Sequence, residues 1–431
     1  MYTLMTKLRA EGKKLVILEN GWAGGWSFVC VVNPKIRVPE GERGLEFMRN
    51  FIRRTGRAAA RSSHKKSLPP PQRDQRAQTS ESSPFTRGFV GFLSYDLGEK
   101  WMLGSRMDRR TICQPPSAHF VYTDEVFGFK NKQLELNSQI SADAETRGSA
   151  PKSNLSRRQY FGKIKQIKKY LYDGETYQVN FSQKFSAPYR GDALNLYGKM
   201  TKINPSPFQF FMASPSGLYD WAIISNSPER LFRIQNLPKG KIIETRPIKG
   251  TAPRGKTAAE DKKNVERMLA SAKEKAELEM IVDLERNDLG KICKPGTVEV
   301  NENRVVEKYS HVFHTVSNVC GVLRSDCDFL DALHALFPGG SVTGCPKKRT
   351  MEIIRKLEGE SRGIYCGSAG FIDLSGECDF NIMIRTLWFD KKRGKIAFRS
   401  GGGIVVDSDP TKEYEETLHK SQAFINVLCS E

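Results

Sequence analysis

The sequence predicts an α+β fold. Three observations carry this reading: apolar runs of strand length recur along the chain, the helical patterns between them differ widely in length, and the two kinds do not alternate regularly. Regular alternation would have indicated a doubly wound parallel sheet. The 431 residues are enough to bury a sizeable core. At about 150 residues per domain the length suggests roughly three domains, although chains with large sheets run longer as one unit.

Taken in order, "KKLVILEN" and "GWSFVCVV" read as two strands separated by a Gly-rich turn. Residues 53–84 are rich in Arg, Ser, Gln and Pro, with three prolines at Pro69 to Pro71, and read as a basic, mobile insert peripheral to the fold. "GFVGFLSYDLGE" has strand character followed by a helical turn; "HFVYTDEVFGFK" and "KQLELNSQI" read as further strands, and Ser141 to Asn154 as a second loop. In "SRRQYFGKIKQIKKYLYDG" the residues Tyr160, Phe161, Ile164, Ile167 and Leu171 stand at helical spacing, and Gly174 supplies a stop. "ETYQVNFSQKF" alternates like a strand, with Tyr177, Val179 and Phe181 on one face and Gln178, Asn180 and Ser182 on the other. "AIISNSPERLFRI" and "KIIETRPIKG" read as two more strands, and one long helix is expected from about Ala258 to Leu284. No linker splits the second half. The expected division is a strand-rich part over 1–155, carrying the insert at 53–84, and a second region over 156–431 within the same unit.

The charge balance narrows the function classes. Lys plus Arg number 68 against 49 Asp plus Glu, a formal net charge of +19. Such a surplus suits nucleic acid or another polyanion when it is gathered on one face. Here Arg53 to Arg76 alone hold eight basic residues and one acidic one, a local +7 that leaves +12 for the rest of a large surface. No nucleic-acid partner is expected. No run of 18 apolar residues occurs, so no helical membrane span is expected either. The nine cysteines form no CxxC pair, and the start has no long apolar stretch of the secretory kind, which together favour a reducing compartment, the cytoplasm by default.

Several residue groups can carry chemistry. Glu274 and Glu277 share one face of the expected long helix, and Glu413 and Glu416 repeat that spacing after Pro410. Four such carboxylates gathered in one pocket would repel one another unless a hard divalent cation such as Mg²⁺ neutralised them, although glutamate pairs on helices usually face solvent. Gly401, Gly402 and Gly403 permit close approach of backbone N–H groups to an anion, and "FPGGSVTGCPKKR" is a second Gly/Ser/Thr-rich loop leading into a helix; neither has the spacing of a nucleotide loop. Lys249, between an apolar residue and a glycine, can serve as a nucleophile where its surroundings favour the free amine, though a surface lysine is the commoner case. Glu229 in "SPERL" is a possible acid or base partner, and His311 and His314 form the one close histidine pair.

In combination these stretches become specific. "GETYQVNFSQKF", "SPERLF", "ETRPIKGTAPRG", "EKAELEMIVDLERNDLGKIC", "VFHTVSNVCG", "FPGGSVTGCPKKRTMEII", "RGIYCGSAGFID", "GECDFNIMIRT" and "GGGIVVDSDPTKEYEETLHKSQA" resemble, in order and spacing, the chorismate-utilising enzymes. That family includes enzymes that aminate chorismate and enzymes that add water to it. The resemblance runs from about Ser156 to Leu428 and more weakly through "LVILENGWAGGWSF" and "GFVGFLSYDLGE". It implies two antiparallel sheets in a sandwich surrounded by helices. It also implies Mg²⁺ held by Glu277 and Glu416, with Glu274 and Glu413 contacting the ion directly or through water.

The resemblance assigns further roles. Tyr365 and Arg385 match residues on the enolpyruvyl carboxylate side of chorismate, and Gly402, Gly403 and Lys420 match positions around the substrate carboxylates. Thr343 and Gly344 match the loop beside the ring, Gln178 and Thr251 match substrate-contacting positions, and His314 matches a histidine near the C4 hydroxyl or the ring carboxylate. Two positions choose among family members. The water-using members carry a lysine where this chain has Gln178, so ammonia is the implied nucleophile. The "PIKGT" block places Lys249 where the enzymes making anthranilate typically have alanine, which points instead to amination at C4, giving 4-amino-4-deoxychorismate. Lys249 is then expected to attack C2 while Glu229 protonates the leaving hydroxyl. Anthranilate formation is the alternative. The chain carries no recognisable glutaminase set, so a separate glutamine amidotransferase subunit is the implied source of ammonia.

Overall fold

Nearly every apolar run of strand length enters one of two antiparallel sheets. The computed structural model describes residues 2–22, 24–62, 83–104, 115–130, 149–214, 221–309 and 312–429. Among these, one sheet has ten strands. Its central path runs from Gly344–Cys345 through Gln178–Pro188, Lys395–Ile404, Thr386–Asp390, Trp221–Ser227, Phe208–Ala213, Leu15–Trp22 and Trp26–Val31 to Glu125–Lys130. The second sheet has nine strands, from Ile248–Pro253 through Val312–Val322, Gly240–Arg246, Arg230–Leu237, Cys378–Asn381, Ser368–Asp373 and Gly88–Leu93 to Ala118–Thr123; Glu299–Lys308 also pairs with Val312–Val322. Both sheets draw strands from either side of residue 155.

Alternation along each strand produces the layers. Val16 and Leu18 pack inward with Phe28, Val90, Phe92, Phe210, Ile223 and Phe371. The intervening Ile17 turns outward to a cluster that includes Phe211, Leu387 and Phe398 beneath the helices Ala193–Ile203 and Pro410–Cys429. Phe28 of the first sheet meets Phe371 of the second at 5.5 Å between ring centroids, which marks the sandwich interior. The opposite face of the second sheet is covered by Ala272–Gly290 and Phe329–Leu336, whose Leu278, Val282, Leu330 and Leu333 join its core.

Several boundaries differ from the expectation. The helix Glu42–Ser62 runs into the stretch read as an insert, held by Arg49 and Arg53, which both donate to Asp328 at 2.8 Å; residues 63–82 lie outside the described residues. The strand expected at "KQLELNSQI" also lies outside them, as does most of the second loop, within which Lys152–Ser153 form a short strand. "HFVYTDEVFGFK" is two strands, Ala118–Thr123 and Glu125–Lys130, one in each sheet. "AIISNSPERLFRI" and "KIIETRPIKG" give four strands instead of two, because Pro228 and Pro247 lack the N–H that a continuous ladder needs.

The expected long helix is two helices, Ala258–Ala270 and Ala272–Gly290, joined at Ser271. Apolar periodicity continues across the break, so the pattern alone reads as one helix. Ser271 instead adopts an extended backbone, and its hydroxyl accepts the N–H of Glu274 at 3.2 Å as an N-cap. The second helix thus starts afresh, in a direction set by the cap.

Candidate active site

Strands of both sheets and two helices converge on the sequence-predicted residues. Ser271 starts the helix that presents Glu274 and Glu277, and Pro410 starts the helix that presents Glu413 and Glu416. The two pairs come together. The Lys273 ammonium lies 3.9 Å from Glu277 and 3.8 Å from Glu413, so it spans the gap between the helices. A Cβ on Gly402 would stand 3.3 Å from Glu416 Oε1 and 3.4 Å from Glu413 Oε2, so this glycine lets the strand Lys395–Ile404 lie directly against both carboxylates. Their charges are not alike. Burial and the neighbouring Glu277 raise the pKa of Glu274. Burial raises that of Glu413, whose Oε1 accepts the Ser408 hydroxyl at 2.7 Å. At Glu416 partial burial is outweighed by Lys420, 2.6 Å away, and the pKa is lowered.

Lys249 lies on the strand Ile248–Pro253 and donates to Glu277 Oε2 at 2.8 Å. Glu229 follows Pro228 between the strands Trp221–Ser227 and Arg230–Leu237; it is 5% exposed, and its Oε1 has no hydrogen-bond partner among the described residues. Burial pushes its carboxyl up to about 7 against the opposing influence of Ser341, Lys249, the Ile248 N–H and Lys420. His314, on Val312–Val322, is the register partner of Thr251, and its Nδ1 lies 3.0 Å from Thr251 Oγ1. Burial and the Arg385 charge lower its pKa to about 4, so His314 is neutral near pH 7 and offers a ring nitrogen for hydrogen bonding. His311 lies outside the described residues.

Gln178 opens the strand Gln178–Pro188 opposite Cys345. It is fully buried, and neither atom of its amide has a partner among the described residues. A Cβ on Gly403 would come within 2.9 Å of that amide carbon, which places Gln178 against the glycine strand. Gly344 has φ near 138°, and a Cβ there would meet the Gln178 carbonyl at 2.0 Å, so the close approach of the loop requires glycine. The Thr343 hydroxyl is spent within the loop, donating to the Gly339 carbonyl at 2.9 Å. Lys420 donates to the Gly401 carbonyl at 3.1 Å. Arg385, His314, Lys420 and Tyr309 line a common cavity of about 160 Å³. Among the described residues the Arg385 guanidinium makes no ion pair, and burial lowers its pKa. Tyr365 is buried and lines a different cavity with Arg362, Trp388 and Arg399; no contact among the described residues joins it to Lys249 or to the glutamates.

Three contributors escaped the sequence reading: Lys273, Ser341 and Ser408. Lys273 sits beside a recognised glutamate and looks like any helix-surface lysine; the two serines belong to loops whose direction only the fold sets. The donor set agrees in kind with a hard cation: carboxylate oxygens on two helices, with Glu274 Oε2 lacking any partner among the described residues. Their arrangement is that of a cluster neutralised from within by Lys249, Lys273 and Lys420, and among the described residues no three acidic or imidazole ligands converge on one point.

The chorismate binding enzyme family matches residues 37–426. The chain belongs to that family. It is thus a chorismate-utilising enzyme. The chain is 38% identical over 361 residues to aminodeoxychorismate synthase component 1 of Salmonella typhimurium, covering 80% of this chain and 77% of that protein. It is equally 38% identical over 370 residues to an anthranilate synthase component I-like protein of Synechocystis, covering 81% and 74%. Among solved structures, anthranilate synthase component I from Streptococcus pneumoniae superposes with a TM-score of 0.70 at 27% identity, over 95% of this chain and 90% of that one. Among the described residues no helix is long and apolar enough to cross a membrane.

Proposed function

We propose that the enzyme aminates chorismate at C4 with ammonia, giving 4-amino-4-deoxychorismate. The observation that carries this reading is Lys249, which lies 2.8 Å from Glu277 and within electrostatic reach of the buried, proton-retaining Glu229. Chorismate bears two carboxylates, and Arg385, Lys420 and the N–H groups around Gly402 and Gly403 are the cations and donors available for them. Lys249 first gives its ammonium proton to Glu277, which returns it at the end of the cycle; the free amine forms a bond to C2, the ring π-system shifts, and the C4–O bond breaks. Glu229 gives the departing hydroxyl its proton, so that water leaves. Ammonia then bonds to C4, the π-system shifts back, the C2–N bond to Lys249 breaks, and the proton shed by the ammonia nitrogen restores Glu229. Glu274, Glu277, Glu413 and Glu416 would hold Mg²⁺, which would offset the negative charge of the ring carboxylate when bound. Gln178, a neutral amide where an activating lysine would serve water, supports ammonia as the nucleophile. A separate glutamine amidotransferase is the proposed ammonia source.

Incubation of the full chain with chorismate, Mg²⁺ and an ammonium salt tests the reading, with products resolved by mass and ultraviolet spectrum. A non-aromatic 4-amino product is expected. Anthranilate with pyruvate would reassign the enzyme. K249A should lower 4-amination by roughly a hundredfold or more, equivalent to at least about 2.7 kcal/mol of transition-state stabilisation; full activity of K249A would exclude the covalent route.

A further inference from the structure

The reaction as written gives no role to one aromatic wall of the Arg385 cavity. Tyr309 forms part of that wall, beside His314, Lys420 and Arg385. It closes the turn that joins the strands Glu299–Lys308 and Val312–Val322, and its N–H donates to the Val312 carbonyl at 2.9 Å. The turn is also held from outside. Arg254 donates to the Tyr309 carbonyl at 3.0 Å, pairs with Asp261 at 2.7 Å and lies over the Phe313 ring at 5.1 Å. The backbone that carries the phenol is thus fixed by the sheet and, through Asp261, by the helix Ala258–Ala270.

Two contacts direct the side chain. Its ring meets the His314 imidazole edge-on, with centroids 5.5 Å apart and planes at 63°. Its hydroxyl donates to Glu307 Oε2. Glu307 is the register partner of His314 across the two strands, and its other oxygen, Oε1, accepts from Arg246 Nε at 2.8 Å and lies 2.7 Å from Nη2. Arg246 itself ends the strand Gly240–Arg246, which pairs with the strand of His314. Both oxygens of Glu307 are therefore engaged, and its carboxylate offers the phenol one orientation. Each link from Arg246 to His314 is a direct contact: guanidinium to carboxylate, carboxylate to phenol hydroxyl, phenol ring to imidazole. Thr251 Oγ1, 3.0 Å from Nδ1, holds the imidazole at one edge. A flat ring held at one edge still swings about it, and a second surface is needed to stop that motion.

We infer that Glu307 and Tyr309 are positioning residues for His314: Arg246 orients Glu307, Glu307 orients the phenol, and the phenol ring fixes the imidazole that Thr251 holds at its edge. This rests on the reading of His314 as a residue that faces the substrate. The tie to Glu307 also decides how Tyr309 acts. A hydroxyl that already donates to a carboxylate has no hydrogen left for the carboxylates of chorismate, so Tyr309 works through the imidazole and not as a donor to the substrate.

A double-mutant cycle on the full chain, read as chorismate consumption with ammonium and Mg²⁺, measures a rate whichever amino product forms. Y309A should lower kcat about tenfold with KM for chorismate little changed, and in the H314A background it should cost less than about twofold, because the ring it positions is gone. Y309F keeps the ring and loses the hydroxyl; Y309F and E307A should each lower kcat about threefold, and the two together no further, since both cut the same link. Losses from Y309A that multiply with those from H314A would overturn the proposal, as would an H314A chain as active as wild type. Nuclear magnetic resonance of histidine-labelled protein gives a readout that needs no turnover. The Cε1–H signal of His314, assigned by its absence from H314A, should shift or broaden in Y309A and stay close to its wild-type position in Y309F, while the His119 and His334 signals hold theirs. A His314 signal that Y309A leaves unmoved would overturn the proposal even in a chain that makes no 4-amino product. Failure of the C4 assignment shows in the identity of the product, and failure of the positioning role in the cycle and the spectrum.

Discussion

At Glu229 two influences compete for one proton. Lys249, Lys420 and neighbouring donors favour the carboxylate, while burial opposes it more strongly and raises the pKa from 4.5 to about 7. The folded protein therefore binds this proton more tightly than the unfolded chain. The contribution to stability is fully present below about pH 4.5 and is lost as pH rises through 7. E229Q removes the ionisation, so its stability relative to wild type should increase by about 3 kcal/mol between pH 4.5 and pH 8, as measured by urea unfolding at each pH. The same substitution should lower 4-amination roughly 10²- to 10⁴-fold near pH 7, because the leaving hydroxyl loses its acid. A loss of activity without the pH-dependent gain in stability would mean that Glu229 is not buried as a neutral acid. Residues of this kind were legible in the sequence because a short local string, "SPERL" or "PIKGT", carries them. Ser341 was not, since its influence comes from lying beside Glu229 across the fold.

At the scale of elements, the site depends on one buried ionic knot. Glu358 ends the helix Lys347–Glu358, and Arg362, 2.8 Å away, and Arg399, 3.1 Å away, hold its pKa low although burial alone would raise it. The knot also fixes backbone. Glu358 accepts the Ser182 N–H at 2.9 Å, and Arg362 donates to the carbonyls of Asn180 at 2.6 Å and Val342 at 2.9 Å. The strand of Gln178, the loop of Thr343 and the strand of Gly402 are thereby tied to one helix end. E358A leaves two arginines buried without their carboxylate and should cost about 3–5 kcal/mol in denaturant unfolding, an outcome that a solvent-exposed pair would not give. Replacing Gly403 with Ala should displace the Gln178 amide, because the added Cβ would stand 2.9 Å from it; the expected result is reduced kcat/KM with ammonium and little change in the melting temperature. Element identity was largely readable from periodicity, and element limits were not. Ser271 interrupts a continuous apolar pattern because its hydroxyl can cap a new helix, and Pro228 and Pro247 divide apparent strands by removing ladder donors.

Across the whole molecule the net charge of +19 is a property of the field around an enzyme for a dianion. Arg385 and Lys420 open onto a common cavity, so positive potential at its mouth should speed the approach of chorismate. Raising KCl from 50 to 500 mM shortens the screening length from about 14 to about 4 Å, and kcat/KM for chorismate should fall several-fold while kcat changes little. Stopped-flow or steady-state kinetics at fixed Mg²⁺ and ammonia would check this; insensitivity of kcat/KM to salt would remove the steering role. Part of the charge is structural: Arg49 and Arg53 fasten the helix Glu42–Ser62 to Asp328.

The sequence by itself determined the α+β class, the family, and the Lys249, Glu229 and paired-glutamate signals, because each is written in local spacing or in an ordered series of short strings. Tertiary structure decided which charges meet. It brought the two glutamate pairs to a shared lysine, gave Arg385 an open cavity and set Tyr365 in another. Those outcomes depend on burial and on contacts between distant segments. Local spacing along a chain specifies neither.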